Sequence, residues 1–222
     1  NKKNFKDDEM PHFPKCSYKA VKLSKANFHE AKKHGSSKMM AFIDGGNQEI
    51  VGAHSFSLQL IRVYYCIYQD NKRIEKGTYE ACALISAKKK EKSLSFDVKM
   101  FFKDKILKID DISFDAYDET ISTGQRMVKV EAIGDEVRKF LELSLAKNLC
   151  EKVENGFIIL DTTLEATVNG EKKFFEELYG QARKNKTTIA ALSKTTSLLT
   201  ESGNLVIAIL NSISPDGEWY YH

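Results

Sequence analysis

Met39-Met40-Ala41-Phe42-Ile43-Asp44-Gly45-Gly46 and, much later in the chain, Phe157-Ile158-Ile159-Leu160-Asp161-Thr162-Thr163 are two apolar runs that each end on an aspartate. A buried strand that delivers a carboxylate at its C-terminal end, followed by a small or hydroxyl-bearing turn, holds a charge at a fixed place on a sheet rim. Asp also caps turns for reasons of local hydrogen bonding, and for one such run alone that bland reading is the better one. Two runs with a helical segment between them reverse the preference and predict a divalent-metal site. Hard cations such as Mg²⁺ take oxygen ligands and keep several waters, so two or three carboxylates suffice.

Working outward, Ser55 to Gln69 is rich in aromatic and β-branched residues and predicts a long strand. Asp70-Asn71 marks a turn, and Lys72 to Ser86 predicts the returning strand, with Glu80 to Ala87 open to a helical reading. Leu94 to Phe102 alternates apolar and polar residues as a half-exposed strand does. From about Gln125 to Val153 the apolar residues Val130, Ile133, Val137, Phe140, Leu141, Leu145 and Leu149 recur at three- and four-residue spacing, which predicts an amphipathic helix ended by Asn155-Gly156. A helix over Glu171 to Lys184, a short strand over Thr187 to Leu192 and a helix over Ser197 to Asn211 complete the reading, with a short helix near Ser24 to Lys33 before the first strand. Antiparallel strands first, then strands alternating with helices, give a mixed α/β sheet. The domain boundaries read as an N-terminal basic arm and short helix over residues 1–37 and one domain over 38–222.

Composition sets limits on function. A chain of 222 residues with 42% hydrophobic and 29% charged residues is ordinary for one globular domain with a small appendage. A net charge of +3 announces no strong nucleic-acid field, although nine lysines stand against four acids in the first 35 residues and Lys88-Lys89-Lys90-Glu91-Lys92 forms a second cluster. The four cysteines (Cys16, Cys66, Cys82 and Cys150) are widely spaced, which argues against zinc-ligand and disulfide frameworks. Cys66 and Cys82 fall in strand-like runs and read as small core residues. No apolar stretch reaches the roughly 20 residues needed to span a bilayer, and the N-terminus does not resemble a signal peptide. The expectation is a reduced, cytoplasmic protein with no membrane segment.

Among residues that carry chemistry, Glu142 lies nineteen positions before Asp161 and shares a helical stripe with Arg138 and Leu145, beside the apolar face. On the helix alone it reads as the partner of Arg138; beside Asp44 and Asp161 it becomes the third metal ligand. Glu131 and Glu136 are alternatives on the same segment. Further on, Ile189-Ala190-Ala191-Leu192-Ser193-Lys194-Thr195-Thr196-Ser197 puts a lysine in a hydroxyl cluster at a predicted helix start. Ser and Thr there are good N-caps; the functional reading is a phosphate site in which Lys194 stabilises charge on a phosphate oxygen. The glycines of a phosphate-binding loop and of a dinucleotide fingerprint are missing. His29, His34, His54 and His222 are scattered, and no serine- or cysteine-hydrolase signature is present.

The series Phe42-Ile43-Asp44-Gly45-Gly46, Arg138-Lys139-Phe140-Leu141-Glu142, Ile159-Leu160-Asp161-Thr162-Thr163-Leu164 and Leu192-Ser193-Lys194-Thr195-Thr196 resembles the NurA nucleases of archaea. The resemblance covers residues from about 38 to 200 and implies an RNase H-like core flanked by helices. It implies Mn²⁺ or Mg²⁺ as cofactor and DNA, single- and double-stranded, as substrate. It also implies 5′–3′ exonuclease and single-strand endonuclease action in double-strand-break end resection, by a homodimer docked on the hexameric ATPase HerA. By the same resemblance Asp44, Glu142 and Asp161 are the metal ligands and Lys194 the catalytic lysine. The family has Asp-Gly-Ser after its first strand and Asp-Gly-Ser-Leu at the later one, where this chain has Asp-Gly-Gly and Asp161-Thr162-Thr163-Leu164; every carboxylate is kept. The family also places a functional histidine near its C-terminus. His222 stands too close to Lys194 to match it, which gives the expectation of a domain truncated on that side.

Two other readings share these residues. One is a non-catalytic adaptor of the same fold that docks a hexameric DNA translocase through the aromatic Ser55–Gln69 strand and the basic arm. The other is an RNA-cleaving relative with the same metal chemistry, since recognition of the 2′-OH depends on local groove contacts.

Overall fold

Apolar and aromatic residues at alternate positions from about 40 to 90 fold as a three-stranded antiparallel meander, the backbone of the whole sheet. The computed structural model describes residues 9–13, 19–33, 35–90, 93–103, 106–107, 109–122, 127–193, 196 and 198–222. In chain order the elements are β1 (Phe28–Glu30), β2 (Met40–Ala53), β3 (Phe56–Gln69), β4 (Lys72–Lys90), β5 (Ser93–Phe102), β6 (Ile112–Asp115), α1 (Ile133–Leu149), β7 (Phe157–Leu160), α2 (Glu171–Lys184), β8 (Thr188–Ala191), α3 (Val206–Ile213) and β9 (Trp219–Tyr221). They divide into two compact units, one of residues 37–192 and one made of residues 1–36 with 193–222.

The larger unit is a mixed, strongly curled seven-stranded sheet in the order β6-β5-β4-β3-β2-β7-β8. β2 to β6 pair antiparallel in sequence order, while β7 pairs parallel to β2 and β8 parallel to β7. The tight β3–β4 turn works because Asp70 and Asn71 both take left-handed backbone (φ 49° and 60°), as a two-residue hairpin turn of the right twist demands. Side-chain alternation splits the sheet cleanly. Ala41 and Ile43, Ile61, Val63 and Ile67, Ala83 and Ile85, and Phe96 and Val98 are all buried on the face against which α1 packs. The intervening residues Phe42, Leu60, Arg62, Tyr64, Cys82 and Leu84 are half-buried or exposed on the opposite face. Cys66 and Cys82 therefore belong to that second face and not to the core, where sequence reading put them; among the described residues Cys150 is the buried thiol.

Helix α1 is the keystone of this unit. Ile133, Val137, Phe140, Leu141 and Leu145 are buried between β2, β3, β4 and α2. It is shorter than the predicted Gln125–Val153: Lys129 is extended, Val130–Ala132 form a 3-10 turn, and the turns after Cys150 lead to Asn155 at φ 55°. Gln125 itself lies outside the described residues. Glu80 to Ala87 is strand throughout, because its register with β3 and β5 gives it ladder partners on both sides.

In the smaller unit β1 pairs antiparallel with β9. The short helix expected near Ser24–Lys33 is only a 3-10 turn over Lys25–Asn27, capped by Ser24 Oγ, which accepts from Ala26 N at 3.2 Å. Phe28 then leaves the helical path because its ring packs edge-to-face on Trp219 (4.7 Å) and Tyr221 (4.9 Å). The helix expected over Ser197–Asn211 begins only at Val206; Gly203 at φ 81° and the Leu199–Leu205 bridge make a turn of the preceding residues. No helix among the described residues is long and apolar enough to cross a membrane.

Candidate metal centre

Parallel pairing of β2 with β7 decides where two of the three carboxylates go. Ile43 is in register with Leu160, so the next residue of each chain segment is an aspartate, Asp44 on β2 and Asp161 just past the end of β7. Asp161 ends its strand as the sequence predicts. Asp44 does not: β2 runs on to Ala53, held by β3, so Asp44 sits within a strand. It is exposed, and its Oδ1 accepts from Gly45 N at 2.9 Å. Alternation turns Asp44 toward the face not covered by α1, where it lines an open pocket of about 450 Å³ with Gly46, Gln48, Leu60, Arg62 and Tyr64.

Glu142 approaches from the covered face. It is a buried carboxylate, 3% exposed, on α1. Its place depends on Gly45: a Cβ there would stand 2.5 Å from Glu142 Oε1, so only glycine lets the helix carboxylate reach the sheet backbone. Arg138 Nη1 donates to Glu142 Oε1 at 2.6 Å and to the Gly45 carbonyl at 3.3 Å. Gly45→Val should thus displace both side chains and cost about 1–3 kcal/mol as overpacking; chemical denaturation of the two proteins measures it. Gly46→Val, with nothing within 4 Å of the added Cβ, is the control.

Burial pushes the Glu142 carboxyl up to about 7; the Arg138 charge and hydrogen bond work against this, and Asp44 and Asp161 add to it. The three carboxylates therefore share one electrostatic neighbourhood. Sign follows from linkage. The folded protein holds a proton on Glu142 that the unfolded chain has released, so stability falls as pH rises from 4.5, the ordinary value, to about 7 and is level above. At 1.36 kcal/mol per unit the fall is up to roughly 3 kcal/mol. Urea midpoints between pH 4 and 8 should show it, and Glu142→Gln should flatten it.

The alternatives to Glu142 lie elsewhere. Glu131 is exposed and pairs with Lys129 at 3.6 Å, and its carbonyl accepts from Gln59 Nε2. Glu136 is half-buried, its carboxyl raised by burial and then, more weakly, by Glu171 and Asp135. Lys194 lies outside the described residues. Sequence reading missed the buried pair of Lys139 with Glu171 (2.5 Å); the Glu171 carboxylate also accepts from Thr167 N and Val168 N and so fastens the loop before α2. A glutamate directly after Gly170 at a helix start was the available signal.

Chemically, three carboxylates with one arginine among them leave a surplus of negative charge and only oxygen donors, which suits Mg²⁺ or Mn²⁺. Geometrically, among the described residues no three His, Cys, Asp or Glu side chains are drawn together as a cation requires. Asp44 and Glu142 stand on different faces of β2, and Glu142 is engaged with Arg138. In comparisons with known proteins, the chain matches no protein-family model, no curated protein and no solved structure.

Proposed function

We propose that this chain is a divalent-metal-dependent nuclease acting on DNA. The observation that carries the reading is the register of β2 with β7, which sets Asp44, within β2, level with Asp161, just past the end of β7, with Glu142 on the helix between them in sequence and within reach of both charges. An antiparallel meander followed by strands alternating with helices is also the arrangement expected of an RNase H-like core. Asp44, Glu142 and Asp161 would hold Mn²⁺ or Mg²⁺, which activates water and bears charge on the scissile phosphate when bound. The residues' own part is to supply oxygen donors and to keep Glu142 out of bulk water. Resection polarity, the phosphate role of Lys194, the homodimer and docking on a HerA-type ATPase rest on the resemblance to NurA nucleases alone.

A second reading, the non-catalytic adaptor, is favoured by the Arg138–Glu142 ion pair, which already neutralises the helix carboxylate. Digestion of end-labelled single- and double-stranded DNA with Mn²⁺, Mg²⁺ or EDTA separates the two. Metal-dependent cleavage supports the nuclease; intact DNA together with no metal-induced stabilisation supports the adaptor.

A further inference from the structure

Aromatic rings and cations alternate on the sheet face turned away from the helices of the larger unit. α1 packs on β2, β3 and β4 on one face, and α2 packs on α1. On the other face Phe42 of β2 is 37% exposed and meets Tyr68 of β3 edge-to-face at 5.9 Å. Tyr64, four residues before Tyr68 on the same strand, is half-buried like it and stands in direct register with Asp44. A strand rises about 3.4 Å per residue, so the two tyrosines are about 14 Å apart and meet different groups of a ligand laid along β3. Arg73 and Lys76 of β4 are the ladder partners of Tyr68 and Cys66, and Arg62 lies two residues from Tyr64; all three cations are exposed. Glu80, the carboxylate beside them, is held by Arg62 at 2.5 Å and by Lys103 at 3.5 Å, which leaves the tyrosine end of the face cationic.

A protein partner favours contiguous apolar surface, whereas charged side chains are interleaved with the rings here. An unpaired base offers a π-face to an aromatic ring, and its phosphate offers an anion to Arg or Lys; sheet faces that bind single strands use both. A duplex hides its base faces in the stack. We propose that this face is a stacking platform for single-stranded DNA, with bases on Tyr68, Phe42 and Tyr64 and phosphates on Arg73, Lys76 and Arg62. The choice of DNA rests on the nuclease reading above, whereas the platform itself needs no metal. Because Tyr64 faces Asp44 across the β2–β3 ladder, a strand on the platform is delivered to the pocket that Asp44 lines.

The test is fluorescence anisotropy of labelled oligo(dT), about fifteen nucleotides long to match the upper site size of a single-strand-binding domain. It is titrated with the whole chain in EDTA so that nothing is cut, beside the matching duplex and oligo(rU), with circular dichroism to establish folding. Oligo(dT) should bind, and the duplex much more weakly. Tyr64→Ala and Tyr68→Ala should each weaken binding by about five- to a hundredfold, the loss of one base stack. Tyr68→Phe should bind like the unaltered chain, because the ring and not the hydroxyl is used. Arg73→Gln with Lys76→Gln should lower the slope of log affinity against log salt by about 1.4, two phosphate contacts at about 0.7 each. Both residues are exposed, so this variant decides the matter should the alanine variants fail to fold. Tyr117→Ala, at an exposed ring beyond the end of β6, is the control. If oligo(dT) binds and none of the platform variants weakens it, the strand lies elsewhere and the platform is overturned. It is overturned also if oligo(dT) does not bind, and metal-dependent digestion then still decides the nuclease reading by itself. Tighter binding of oligo(rU) through the same residues would overturn DNA as the occupant. Binding through this face without metal-dependent digestion would sink the nuclease reading and leave the platform standing.

Discussion

Asp44→Asn is expected to lower metal-dependent DNA cleavage by about a thousandfold while changing stability by less than about 0.5 kcal/mol. A bound metal contributes several kcal/mol of transition-state charge stabilisation, and 1.36 kcal/mol is tenfold in rate, which sets the first figure. The second follows from the surroundings of Asp44. It is exposed, and the contact described for it, Gly45 N to its Oδ1, is one that an asparagine oxygen accepts equally well. Surface changes of this kind fall within about half a kcal/mol. The two readouts together separate a ligand from a turn cap. Cleavage lost with the melting curve unmoved supports the ligand. A melting curve that drops with cleavage retained would make Asp44 a structural residue and leave the open pocket beside Tyr64 without a metal to serve. Asp161→Asn should lose as much cleavage, and it is the less clean variant because Asp161 is half-buried.

How much of this was legible in the sequence follows from how locally each feature is encoded. β3 and the Asp70-Asn71 turn are written in adjacent residues, alternation on one side and left-handed turn formers on the other, and were read as found; β4 was read only to Ser86 with Glu80 to Ala87 open to a helix, whereas pairing with β3 and β5 carries it as strand to Lys90. α2 was read to the residue for the same reason, its apolar spacing being bounded by Gly170 and Asn185. Asp44 was misread as a strand end because Gly45-Gly46 looks like a turn, whereas pairing with Val63 and Arg62 of β3 carries the strand through both glycines. That is a tertiary decision and no local signal records it. Glu142 was found, but its burial against Gly45 was not, since a helix glutamate and a strand glycine nearly a hundred residues apart meet only once the sheet exists. Lys194 is the member of the proposed set whose surroundings remain undescribed.

Phe140→Ala is the largest stability loss we expect, about 3–5 kcal/mol in urea or guanidinium unfolding. The ring is fully buried and stacks on Phe174 of α2 at 4.5 Å and on Phe114 of β6 at 6.0 Å, so it ties α1 to the second helix and to the outer edge of the sheet at once. Truncation removes the aromatic pairings together with the apolar burial and leaves a cavity that two neighbouring rings cannot close by collapsing toward each other through a helix. Phe101→Ala, at a half-exposed ring on the opposite face, should cost far less and is the control. The same variant carries a consequence for the site. Phe140 stands two residues before Glu142 on the helix that presses this carboxylate onto Gly45, and burial is the main cause of its raised proton affinity. A loosened α1 admits water there, so the fall in stability between pH 4.5 and about 7 should shrink in Phe140→Ala even though the titrating group is untouched. If the midpoint drops but the pH dependence keeps its full size, the clamp on Glu142 is made by Gly45 and Arg138 alone, and the aromatic stack holds the helix without tuning the carboxylate.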